Sequence, residues 1–128
     1  MIRATLRSDA VLLFVVALLL LASTWTALYD ALGLPLSEPE LYAQLAGAVM
    51  LAVAYLLWIA PRDTRLTQAV AASAALGNGL SAAILLIWLG SDRVDSALLW
   101  LFVPVLAAFA ALEGRIAARG VAMLLPPD

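Results

Sequence analysis

The chain has 128 residues, 66% hydrophobic and only 12% charged, with a formal net charge of −2. A soluble domain this small keeps too much surface relative to its interior to hide that apolar area, so the composition excludes an ordinary water-soluble globule and makes the bilayer the expected solvent. Cysteine and histidine are absent and all seven basic residues are arginine, which excludes disulfides, thiol redox chemistry, histidine-ligated haem, most zinc sites and lysine Schiff bases.

In chain order, an apolar run from Ala10 to Tyr29 follows Arg3 and Arg7. It predicts a first helix over about residues 9–32. Ser8 or Asp9 is the expected acceptor for the free amides of its first turn, and Gly33 with Pro35 ends it. The run is longer than the roughly 7–15 residues of a secretory signal core, and Trp25 stands where a cleavage site needs a small residue. It is therefore read as a retained helix. Gly33 to Pro39 is a turn by composition. A second helix follows over about 40–60, with Ser37 as N-cap, Pro39 and Glu40 in its first turn, and Pro61 as its stop. A third is expected over 64–89, closed by Gly90. Ser91 or Asp95 then caps a fourth over 96–118, with Gly120 and Pro126-Pro127 marking a frayed end.

Each of these segments reaches the roughly 20 residues that a spanning helix needs, and their short connections make successive helices antiparallel neighbours. The expected fold is all-α: one domain, residues 1–128, forming an integral membrane up-down four-helix bundle. Arginine alternates between the connections. Arg3 and Arg7, then Arg62 and Arg65, then Arg115 and Arg119 occupy one set, while the first loop has no basic residue and the third has only Arg93. Basic residues accumulate in cytoplasmic loops, so both termini are expected to be cytoplasmic. Trp25, Trp58, Trp88 and Trp100 fall near helix ends, where interfacial belts favour them. No basic run or basic-aromatic surface points to nucleic acid. The expected partner is the lipid bilayer, with a homo-oligomer or a membrane-protein partner left open. The arginine and alanine usage fits a bacterial chain, hence a multi-pass protein of the cell inner membrane.

Candidate functional residues are the polar ones that cost energy in lipid. On the third helix, Ala71, Ala74, Ala75, Asn78, Ser81 and Ala82 share one narrow stripe opposite Leu76, Leu80 and Ile87. Small residues let helices approach closely, and an Asn or Ser can then hydrogen-bond across the contact, so the stripe is expected to face the bundle. Asn78 is either an interhelical hydrogen-bonding group or a ligand-facing amide. Gly77 and Gly79 beside it permit a bend or a close contact. Ser23, Thr26 and Asp30 share a face near the outer end of the first helix, and Gln44 lies about one turn inside the second. With antiparallel helices these groups and Ser81 converge in the outer half, where a shallow polar pocket is geometrically feasible. Asp30 also reads as a solvated helix end. Glu113 is an acid in an apolar helix, which is by default a functional hypothesis. Arg62, Arg65 and Arg115 at the same end make pairing or snorkelling the expected role. Pro104 is expected to kink the fourth helix, with Asn78 or Ser81 satisfying the freed carbonyl.

Leu41-Tyr42-Ala43-Gln44-Leu45-Ala46-Gly47, Tyr55-Leu56-Leu57, Ala60-Pro61-Arg62, Gly77-Asn78 and Trp88 together resemble small bacterial four-helix membrane proteins related to the DoxX group. The resemblance covers about half the chain and implies a four-helix bundle. DoxX-type proteins are linked to quinone and sulfur redox chemistry, but this chain has no thiol or histidine to receive that role.

No nucleophile-base pair, metal constellation or phosphate-binding glycine loop is visible. The expected function is therefore non-catalytic and without cofactor: an accessory or scaffold subunit, or a binder of a small lipophilic molecule. Such a molecule, apolar with a polar head, would sit between the first three helices and contact Asn78, Gln44 and Ser81. The alternative is a small dimeric transporter of lipophilic solutes. Four-helix multidrug exporters have this length, but they carry an essential glutamate in the first helix, where Val11 to Leu21 is wholly apolar.

Overall fold

A computed structural model of the chain describes residues 1–36, 40–91 and 96–124. Among these residues it is all-helical: α1 (Ile2–Leu21), α2 (Thr26–Leu32), α3 (Glu40–Ile59), α4 (Thr64–Gly90) and α5 (Ala97–Leu124), with a short 3₁₀ turn (Ala60–Arg62) between α3 and α4. Four of these helices are long and apolar enough to cross a membrane. The caps expected at Ser37 and Asp95, and the Pro126-Pro127 stop, lie outside the described residues.

The expected first helix is in fact two. Helix α1 begins at Ile2, seven residues before the expected start. Its buried Leu6, Ala10 and Ala17 recur at the three-to-four-residue spacing of one helix face, so the apolar stripe already exists before Asp9. Neither Ser8 nor Asp9 is then an N-cap. At the other end the helix stops at Leu21 and α2 starts at Thr26. Across the break the amides of Ala22 and Ser23 bond back to Leu18, Leu19 and Leu20, and the Tyr29 hydroxyl donates to the Leu19 carbonyl at 2.8 Å. That bond ties α2 to the end of α1, at a carbonyl that also accepts from the Ala22 amide.

The other boundaries follow local chemistry. Gly33 closes α2 in the left-handed conformation, at φ 63°, where a Cβ would be strained. Pro61 forces the 3₁₀ turn after α3. Asp63 caps α4, its Oδ1 accepting from the amides of Arg65 at 2.8 Å and Leu66 at 3.3 Å. An Asp63→Ala chain is expected to lose about 1 kcal/mol of stability, read as a lower thermal midpoint in detergent; an unchanged midpoint would mean that this cap contributes nothing. Helix α5 runs unbroken through Pro104, and α4 runs unbroken through Gly77 and Gly79.

Packing is closest within two pairs, α1 with α3 and α4 with α5. In the first pair Gly47 lets the backbones meet. A Cβ built there would lie 2.9 Å from the Ala17 carbonyl oxygen and 3.1 Å from side-chain carbons of Leu20 and Leu21. Arg7 also stacks over the Trp58 ring, 5.1 Å from its centroid, a cation–π contact from α1 to α3. Along α4, Ala71, Ala74, Asn78 and Ala82 are buried while Leu76, Leu80 and Ile87 are exposed, as the small-residue stripe predicts.

The two ends of the bundle differ. Arg3, Thr64 and Arg119 line one hollow, so the arginine-bearing segments gather at one end. Beside that hollow lies a buried apolar cluster of Leu6, Ala10, Leu57, Ala60, Ala71, Ala74 and Ile116. In the opposite half a cavity of about 330 Å³ lies between the helix pairs.

Candidate functional site

Where the buried apolar cluster meets the cavity, three polar side chains from three helices come together. Asn78 of α4 directs its amide nitrogen at two carboxyl groups, 3.0 Å from Asp9 Oδ2 on α1 and 2.9 Å from Glu113 Oε2 on α5. Asp9 and Glu113 are 0% exposed and Asn78 5%. A primary amide has two N–H donors, and both are committed here. The two carboxyl groups are thereby held side by side on one amide nitrogen. Their remaining oxygens, Asp9 Oδ1 and Glu113 Oε1, are buried without a hydrogen-bond partner.

Each residue reaches this point by helical spacing. Asp9 lies just before the buried Ala10, Asn78 one turn beyond Ala74, and Glu113 one turn before Ile116, all on core-facing stripes. The Asn78–Asp9 bond ties the α4/α5 pair to α1, across the layer where the pairs are less closely packed.

Three expectations are corrected. Glu113 does not pair with Arg62, Arg65 or Arg115 and does not snorkel; it is fully buried against Asn78, while those arginines are exposed. Asp9 is a buried helix-interior carboxyl rather than a cap. Asn78 does not serve a carbonyl freed by Pro104, because the carboxyl groups take both of its hydrogens. The signal that could have placed Asp9 was present: Leu6 and Ala10, four residues apart, extend the helix stripe past it. Glu113, seven residues from Leu106 and three from Ile116, shares their helix face by the same spacing.

Asn78 forms the polar floor of the cavity, with Ser81 beside it and Tyr29 on the wall; apolar side chains from α1, α4 and α5, among them Leu13, Leu85, Phe102 and Leu106, make up most of the rest. Of the sequence-selected residues, Asn78 and Ser81 are brought together on this cavity. Ser23, Thr26, Asp30 and Gln44 do not line it. The break after Leu21 buries Ser23, leaving its Oγ without a partner, and puts Thr26 and Asp30 on the exposed surface; Gln44 is half-buried. Among the described residues no group of three or more acidic, cysteine or histidine side chains is disposed to hold a metal ion.

Fold and site together define a protein that is all-helical among the described residues, with four membrane-length apolar helices and a buried polar cluster whose Asn78 reaches a cavity between them. Comparison with known protein families, curated proteins and solved structures gave no match.

Proposed function

We propose that the chain is a multi-pass protein of a bacterial inner membrane, with both termini cytoplasmic, whose role is to bind a small lipophilic molecule rather than to catalyse a reaction. The observation that carries this reading is the cavity: about 330 Å³, mostly apolar, with a polar floor at Asn78 and Ser81. Ligand sites are concave and apolar with a few placed polar groups, and a cavity of this volume suits a ligand of about one aromatic ring with a short branched chain. The arginine distribution supports the orientation. The DoxX-like resemblance is part of the proposal as far as the four-helix architecture.

A second reading, a small dimeric transporter of lipophilic solutes, gains support from one observation. Asp9 supplies the buried acid in the first helix that transport by ion exchange calls for, and Glu113 supplies another beside it. Intramembrane acids mark ion and substrate pathways.

Two measurements test the proposal. Since the chain has no cysteine, single cysteines at Leu36, Ser91 and Thr64 report topology directly. In intact cells a membrane-impermeant thiol reagent is expected to label the first two positions and not the third; labelling of Thr64→Cys would overturn the orientation. For binding, neopentylbenzene is expected to raise the thermal midpoint of the purified protein, and Ser81→Phe, which fills the cavity beside Asn78, is expected to abolish that rise. A rise that survives Ser81→Phe would place the ligand elsewhere.

A further inference from the structure

We infer that Asp9, Asn78 and Glu113 form a proton-exchange centre, and that the cavity above them takes a lipophilic cation whose charged head displaces a proton held between the two carboxyl groups. This rests on the cavity being a binding site and names the class of ligand it takes.

The geometry leads to a proton in three steps. First, ionised carboxylates only accept hydrogen bonds. Two of them brought onto one amide nitrogen can bond to each other only when one carries a hydrogen. Second, Asn78 Nδ2 already spends both hydrogens, one on each carboxyl group, so the cluster has no protein donor left for Asp9 Oδ1 and Glu113 Oε1. Buried polar atoms are seldom left unmatched, and a shared proton supplies the missing donor. Third, this centre is walled from other charge. Arg3 and Arg7 on α1, Arg65 on α4, and Arg115 and Arg119 on α5 are exposed. Asp30 on α2 is exposed as well, and α3 brings no charged residue between Leu41 and Ile59. Among the described residues, therefore, no packed helix brings a cation to the two acids.

The cavity gives that centre a correspondent. Asn78 lines it, and the carboxyl groups lie behind the same amide, each one hydrogen bond away. A ligand whose head rests on Asn78 lies close to both. A neutral head leaves the proton where it is. A cationic head in an apolar surrounding is stabilised by an adjacent negative charge, so the proton leaves to solvent as the cation arrives. One positive charge enters and one departs, leaving the charge of the site unchanged.

The test uses two molecules of the same shape, benzyltrimethylammonium with a fixed positive charge and its neutral isostere neopentylbenzene. Binding to the purified full-length protein in detergent is measured by titration calorimetry, across a range of pH and in two buffers of different ionisation enthalpy. The cation is expected to bind with release of one proton, its affinity rising about tenfold per pH unit where that proton is displaced; the isostere is expected to bind with no proton release and no pH dependence. In the double variant Asp9→Asn/Glu113→Gln the amide oxygens still accept from Asn78. There the cation's pH dependence is expected to vanish while isostere binding persists, which also reports that the variant is folded. Isostere binding accompanied by a pH-independent cation, by proton release that survives the double variant, or by a cation affinity set by sodium instead of pH overturns this inference and leaves the cavity reading standing. Failure of both molecules to bind the folded wild-type protein overturns the cavity reading and this inference with it.

Discussion

Replacing Asn78 by leucine is expected to destabilise the protein more than any other single change at a polar position. In a membrane an ordinary interhelical hydrogen bond is worth on the order of 1 kcal/mol, because the unfolded helices find other partners. Asn78 differs in leaving two fully buried carboxyl groups behind when it goes, each having lost its donor. Leaving a buried acceptor without its donor costs about 1–3 kcal/mol, more when the group is charged, and here two carboxyl groups are left so at once. The Asn78→Leu chain should therefore unfold at a much lower denaturant concentration in mixed micelles, followed by circular dichroism. The triple variant Asp9→Leu/Asn78→Leu/Glu113→Leu is expected to recover most of that loss, since apolar replacement of a whole buried cluster is often neutral or stabilising. Wild-type stability in Asn78→Leu would mean that the three side chains are not joined in the folded protein.

This pair of outcomes separates structural from functional need. A chain that is at least as stable with three leucines keeps its polar cluster for something other than stability. The polar cluster stands at the boundary between the buried apolar residues around Leu6, Leu57 and Ile116 and the cavity. Packing alone would favour leucines at that boundary. Two acids and an amide are costly in an apolar interior; of the three, Asn78 reaches the cavity floor and the acids lie one hydrogen bond behind it.

How much of this was legible depended on whether a feature is local. The stripe Ala71, Ala74, Asn78 and Ala82 is a property of one helix, and its burial follows from the 3.6-residue period. The endings at Gly33 and Pro61 are local as well. The start of α1 was misread because Arg3, Arg7, Ser8 and Asp9 look like a solvated lead-in with a capping acid. Leu6, buried at 0% exposure, outweighs them, since an amphipathic turn can present Leu6 inward while Arg3 and Arg7 point away. The break between Leu21 and Thr26 had no glycine or proline to announce it. It depends on a tertiary bond, from the Tyr29 hydroxyl to the Leu19 carbonyl. The meeting of Asp9, Asn78 and Glu113 was not legible at all, because it depends on the axial register of three helices separated by 69 and 35 residues of chain.

Register in the α1/α3 pair rests on Gly47, and its replacement carries the other large expected effect. Substitution by alanine places a methyl carbon 2.9 Å from the Ala17 carbonyl oxygen, a backbone atom that cannot turn aside, and 3.1 Å from carbons of Leu20 and Leu21. The helices must separate or slide. Overpacking of this kind costs about 1–3 kcal/mol, and Gly47→Leu, which drives a larger group into the same contact, is expected to exceed it. The natural control is Gly77, exposed on α4, where a Cβ would meet nothing within 4 Å. There Gly→Ala is expected to stabilise by up to about 1 kcal/mol through helix propensity alone. Thermal midpoints of the two alanine variants in one detergent should therefore move in opposite directions. Because Leu20 also lines the cavity, Gly47→Ala is expected to weaken neopentylbenzene binding as well, whereas Gly77→Ala should leave it unchanged. If Gly47→Ala keeps wild-type stability, the close approach of α1 and α3 is not what sets the bundle's register. If it is destabilised yet binds at full affinity, the wall formed by Leu20 does not shape the cavity.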